Sequence, residues 1–143
     1  MGRGYTLLEL VAALALLGTL MGVATPPLVA LRDVASVLAA REQLVGLISA
    51  ARVIAVANGG AVVAVDAAPA RGRISARGRL VRSLTMAEST PGLVLDLPGG
   101  RDTTALVFDA MGIGRFASAT FRFRRGSAER SVVVSAYGRV RRQ

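Results

Sequence analysis

Apolar and polar positions give this chain two textures that meet near residue 58. Across residues 10–31 no side chain is charged, and Leu and Ala dominate. Such a run, 22 residues long, matches the roughly 20 that cross a hydrocarbon layer. It is apolar all round, as a helix surrounded by lipid or buried in a core should be. Gly18, Gly22 and the pair Pro26-Pro27 predict an interruption, because proline lacks an amide donor and crowds the preceding turn. Beyond it, Leu31, Val34, Leu38, Val45 and Ile48 recur three to four positions apart, with Asp33 and Glu42 off that stripe. That spacing predicts an amphipathic helix lying on a domain, and Asn58-Gly59-Gly60 supplies its stop. One long helix over residues 5–57 is the expectation, with 5–31 as its membrane or filament-core part.

After Gly60 the apolar residues come in short runs separated by Gly and Pro, the punctuation of a β-rich domain over 58–143. Strands are predicted at 61–65, within 74–84, and at 93–97, 105–108, 119–124 and 131–137. Phe121 and Phe123 alternate with Arg122 and Arg124, which gives a strand one buried and one wet face. Residues 125–130 read as a hairpin loop, 112–114 as a hairpin turn, and 69–78 as a mobile loop. The fold class is α+β: a long N-terminal helix whose second half packs on an antiparallel sheet domain.

Glu9 stands at the front edge of the uncharged run. A carboxylate at mid-membrane depth costs about 2.5–3.5 kcal/mol on insertion scales and less near an interface, so a retained one is a functional-site hypothesis. Its natural partner is a cation, and the nearest source is an α-amino group created by a cut before Tyr5. A plain anchor with Glu9 snorkelling to the interface is the alternative. Residues 1–4 read as a leader, and Arg3 before the apolar run places the N-terminus on the cytoplasmic side. A secretory signal peptide stays open, although the run extends past the usual 7–15-residue core.

The chain has 18 Arg, no Lys, and nine acidic residues, for a net charge of +9. The excess lies in the second half: five Arg and no acid over 71–82, and eight Arg against Glu129 alone over 115–143. That field suits anionic partners. Arg139, Arg141 and Arg142, supported by Arg122, Arg124 and Arg125, are candidate phosphate contacts, since the guanidinium fork grips phosphate well. Binding of that kind to DNA is independent of sequence and falls steeply with salt. A solvated strand face with a tail that pairs an adjacent subunit explains the same arginines. Without Cys or His, disulfides, thiol chemistry and a neutral-pH proton shuttle are excluded. No metal cluster, P-loop or activated nucleophile is legible, so neither a cofactor nor catalysis is expected.

The segment Gly4-Tyr5-Thr6-Leu7-Leu8-Glu9-Leu10 closely resembles the type IV prepilin signature. The C-terminal stretches Phe108-Asp109-Ala110-Met111-Gly112-Ile113-Gly114 and Ser135-Ala136-Tyr137-Gly138-Arg139-Val140-Arg141 resemble the GspH/FimT group of minor pseudopilins. The resemblance implies cleavage between Gly4 and Tyr5 by a prepilin peptidase and N-methylation of Tyr5. It implies that Glu9 and Pro26 are assembly residues, the latter the family's kink proline. It further implies an inner-membrane protein with its C-terminal domain outside the cytoplasm, which joins other pilins or pseudopilins in a filament. The filament belongs either to a type II secretion system or to a type IV pilus. Some FimT-like members resemble DNA-uptake pilins, and the Gly138-Arg139-Val140-Arg141-Arg142 tail is where such binding would sit. Tyr5 departs from the more usual Phe, and residues 61–105 carry no motif of the group.

Overall fold

The computed structural model describes residues 6–115 and 118–143, with side chains for all of these except 23–27. Two compact units result, one ending at Arg32 and one spanning Asp33–Gln143. Helix α1 (Leu7–Asn58) takes its start from Thr6, whose hydroxyl accepts a hydrogen bond from the Glu9 amide at 3.3 Å. At its end Asn58 Nδ2 donates to the Ile54 carbonyl at 2.9 Å, which satisfies one of the last orphan acceptors of the helix. Pro26 and Pro27 fall inside the bounds of α1, so the interruption expected there does not end the helix.

In the second unit, residues from Asp33 onward bury Val37, Ala40, Leu44, Val45, Leu47, Ile48, Ala51 and Ala55. Val45 and Ile48 of the predicted stripe lie in this face and Val34 packs against it, whereas Leu31 is 64% exposed. Three of the buried positions are alanines, which a search for large apolar residues passes over although they let the helix come close.

Five strands form the first sheet, in the order β3-β2-β1-β5-β6: β1 (Gly60–Asp66), β2 (Arg71–Ala76), β3 (Arg79–Thr85), β5 (Thr103–Asp109) and β6 (Gly114–Arg115). A second sheet, β4-β7-β8-β9, contains β4 (Val94–Asp96), β7 (Ala119–Arg125), β8 (Ala128–Val134) and β9 (Val140–Arg142). All pairings are antiparallel. A one-turn helix, α2 (Met86–Ser89), follows β3. Alternation places Ala61, Val63 and Val65 of β1 and Phe121 and Phe123 of β7 inward, and both sheets contribute to one core with α1.

Three expectations change. Residues 69–78 are mostly strand β2 rather than a loop. Gly72 and Ala76 weaken the local β signal, yet Gly72 is required: a Cβ there would run into Leu47 Cδ2 of α1. The hairpin loop expected over 125–130 contracts to Gly126-Ser127, so β8 starts at Ala128. The strand expected over 131–137 ends at Val134, and a turn with Gly138 N–H on the Ser135 carbonyl (2.7 Å) leads into β9. The turn at 112–114 is a hairpin turn as expected, closed by Asp109 Oδ1, which accepts from the Met111 and Ile113 amides at 2.9 Å.

Candidate functional site

Among the described residues between Leu7 and Leu31, twelve Leu, Val and Met side chains are each more than half exposed. At roughly 1.5–3 kcal/mol per large apolar side chain removed from water, their transfer to lipid or to a helix bundle is worth on the order of 20 kcal/mol. That exceeds the cost of carrying one carboxylate, about 2.5–3.5 kcal/mol at mid-depth. Thr19, a polar residue in this run, donates its hydroxyl to the Leu16 carbonyl at 2.8 Å, which removes the cost of an unpaired hydroxyl in an apolar setting. Hydropathy alone also marks Leu28–Asn58 as long and apolar enough to cross a membrane, with 39% of its most apolar window buried. Its stretch from Val37 to Ala55 is the core helix of the second unit, so burial favours the segment up to Leu31 as the part available to a membrane.

Glu9 lies in the first turn of α1 and is exposed. An acid there complements the positive end of the helix dipole. Thr6-Leu7-Leu8-Glu9 also has the spacing of a capping box. The sequence reading missed this, though the Thr-x-x-Glu signal was present. Only half of the box forms: Thr6 Oγ1 takes the Glu9 amide, while the Glu9 carboxylate makes no hydrogen bond or ion pair among the described residues. Gly4 and Tyr5 lie outside the described residues, and so does the Pro26 side chain.

Where the second unit begins, the β7–β8 hairpin grips α1. Arg125 Nε sits 3.0 Å from Asp33 Oδ1, with these side chains 16% and 14% exposed, and Arg125 Nη1 donates to Ser36 Oγ at 2.7 Å. Gly126, at φ +53°, turns the hairpin directly over Asp33, and a Cβ there would collide with the Asp33 carboxylate. The latch holds the first docked turn of α1, one residue after Arg32.

The candidate phosphate-binding arginines are not equivalent. Arg142 forks onto Glu42 of α1, with Nε at 3.0 and 3.2 Å and Nη2 at 3.0 Å from its two oxygens. The hydrogen bond from Arg142 lowers the Glu42 carboxyl below its ordinary value; desolvation, the next largest influence, opposes it, and Arg41 adds to the lowering. Arg122 pairs with Glu129 at 3.0 Å and Arg124 with Asp96 at 2.8 Å. Arg139 and Arg141 are exposed, and their guanidinium groups make no ion pair among the described residues.

The two C-terminal stretches that carry the GspH/FimT resemblance are neighbours. Gly114 donates its amide to the Tyr137 carbonyl at 3.3 Å, and Arg52 of α1 lies 5.9 Å over the Phe108 ring.

Residues 2–25 match the family model described as the prokaryotic N-terminal methylation motif. No curated protein and no solved structure matches the chain. The matched span takes in Gly4, Tyr5 and Glu9, and the motif implies processing by a prepilin peptidase and assembly with other pilins. In this N-terminus, and in a long apolar helix followed by packing on antiparallel sheets, the chain is similar to the type IV pilins.

Proposed function

We propose that this chain is a minor pseudopilin of the GspH/FimT type that enters, and initiates or caps, a short filament of a type II secretion system or type IV pilus. The observation that carries the reading is the coincidence of a methylation motif with a helical segment whose apolar side chains the protein leaves uncovered. In this reading the peptidase cuts after Gly4 and Tyr5 becomes the methylated amino terminus. The segment waits in the inner membrane with the β domain outside the cytoplasm. Glu9, with no partner of its own in the described chain, then neutralises the new amine of a neighbouring subunit. A buried charge is tolerated when paired, so this contact favours one axial register, and a contact that does not close on itself propagates as a helix. No catalytic role is assigned, and none of this chemistry needs a cofactor.

The DNA-uptake alternative draws on the same tail. Arg122, Arg124 and Arg142 already face carboxylates of their own domain, which leaves Arg139 and Arg141 as its free contacts. The filament reading needs none of these five.

Mass spectrometry of the N-terminus after expression with a prepilin peptidase tests the processing step. A methylated Tyr5 is expected, and a retained Met1 overturns it. Glu9→Ala is expected to be processed and yet fail to enter filaments; normal incorporation overturns the assembly role.

A further inference from the structure

Four sheet edges are present among the described residues, and three are short. Strands β4 and β9 have three residues each and β6 has two. The fourth, β3, is different: seven residues with β2 as its sole neighbour. From Arg79 to Ser83 it is exposed on both faces, with Leu80 at 63% and Val81 at 51%. An edge strand presents a row of unpaired N–H and C=O groups, a ready template for another strand. Here that row sits in the most basic hairpin of the chain, which has five Arg and no acid over residues 71–82. Arg73 is taken by Asp66 at 2.9 Å, and Arg77 donates to the Asn58 carbonyl at 3.1 Å. Arg71, Arg79 and Arg82 have no ion pair among the described residues.

We propose that β3 takes up an extended acidic segment of another protein as an added strand. Main-chain hydrogen bonding along the edge would supply affinity, and alternate side chains would supply selectivity. The register sets what those side chains meet: Leu80 lies opposite Ser75 on the outer face, whereas Arg82 lies opposite Ile74 on the inner face. A shift in register between Ile74 and Ser75 lets Val81 stand out between them. The incoming strand therefore meets apolar contact at Leu80 and Val81, flanked by cations at Arg79 and Arg82. A second copy of this chain is a poor occupant, because edge-to-edge pairing would set these arginines against their equivalents. Nucleic acid would use the charge but has no need of the strand edge or of the two apolar side chains. A segment that alternates carboxylates with small apolar residues uses all three features.

The test takes the full chain in uncharged detergent and a fluorescent peptide alternating glutamate and valine, with a twin whose backbone is N-methylated at alternate residues. The twin keeps the charge and loses the donors. The parent peptide is expected to bind and to slow amide exchange across residues 79–85, and the twin is expected not to bind. Arg79→Glu with Arg82→Glu is expected to weaken binding roughly tenfold or more, while Arg139→Glu with Arg141→Glu leaves it unchanged. Absence of binding, equal binding of the twin, or indifference to the Arg79 and Arg82 reversals overturns the proposal. So does duplex DNA that protects residues 79–85 in preference to the peptide. If the double reversal does not fold, comparison of peptide and twin on the natural chain decides alone. The outcome is independent of N-terminal processing, so it stands or falls separately from the filament reading.

Discussion

At Glu9 two physical roles overlap, and their magnitudes separate them. An acid in the first turn of a helix gains about 0.3–1 kcal/mol from the dipole, too little to offset about 2.5–3.5 kcal/mol for a carboxylate at mid-depth in an apolar layer. The cap alone therefore does not account for a charge carried to that depth; in the proposed filament the amine of a neighbouring subunit would supply the cation that does. Thr6→Ala removes the hydroxyl that takes the Glu9 amide and is expected to cost about 1 kcal/mol of helix start, with filament incorporation retained. Glu9→Gln keeps shape and polarity but abolishes the charge, and incorporation is expected to be lost. Recruitment of both variants into filaments, scored side by side, checks the assignment. Arg125 is judged by the same logic. Its ion pair with Asp33 is mostly buried and has a further hydrogen bond to Ser36, so Arg125→Ala leaves a shielded carboxylate without its cation. A loss of about 2–3 kcal/mol is expected, read as a lower midpoint in thermal unfolding followed by circular dichroism. Arg122→Ala, at a pair about half exposed on both sides, is expected to change that midpoint far less.

At the scale of elements, β9 is a three-residue strand tied to α1 by the Arg142–Glu42 fork. Because Arg142 lowers the folded carboxyl's pKa, the unfolded chain takes up this proton at higher pH than the folded one. The fork's contribution is thus complete above the ordinary glutamate pKa and is lost as pH falls through the lowered folded value. Acidification is expected to loosen β9 before the core. Amide exchange at Ser131 and Gln143, whose amides each donate to the other's carbonyl at 3.0 Å, reads it once intrinsic rates are divided out. Glu42→Gln should abolish that pH dependence; persistence of it would assign the effect elsewhere. Nothing in the sequence marked Glu42 as the partner of a residue 100 positions away. The period of the helix, the Phe121/Arg122 alternation and the turn at Asp109 were legible because they are local. The first half of strand β2 was not, because Gly72 is chosen for contact with Leu47 rather than for β propensity; only its end fell in the strand expected within 74–84. The shortened β7–β8 turn was also hidden, since Gly126 answers to Asp33 across the fold. The arginine tail was legible as charge, but which of its members are already paired depends on strand register.

For the molecule as a whole, the exposed apolar segment and the folded core have separate supports. Among the described residues, every buried apolar side chain lies between Val37 and Val134 and every ion pair lies between Asp33 and Arg142. The Arg125–Asp33 latch closes the second unit at its first residue. Removal of residues 1–32 therefore takes away no described core contact and no described salt bridge, while it eliminates the twelve exposed large side chains described between Leu7 and Leu31. The shortened chain is expected to stay in solution without detergent, to unfold cooperatively, and to keep the midpoint of the full chain within a few degrees. Starting instead at residue 38 deletes Asp33, Ser36 and Val37 together, so the Arg125 guanidinium loses both partners and the core loses a fully buried side chain. That version is expected to melt well below the first. Sedimentation and thermal circular dichroism on the two lengths measure both outcomes. If they melt alike, the latch does not support the domain; if the longer one fails to fold, the apolar segment is more than an anchor and must hold the β domain together as well.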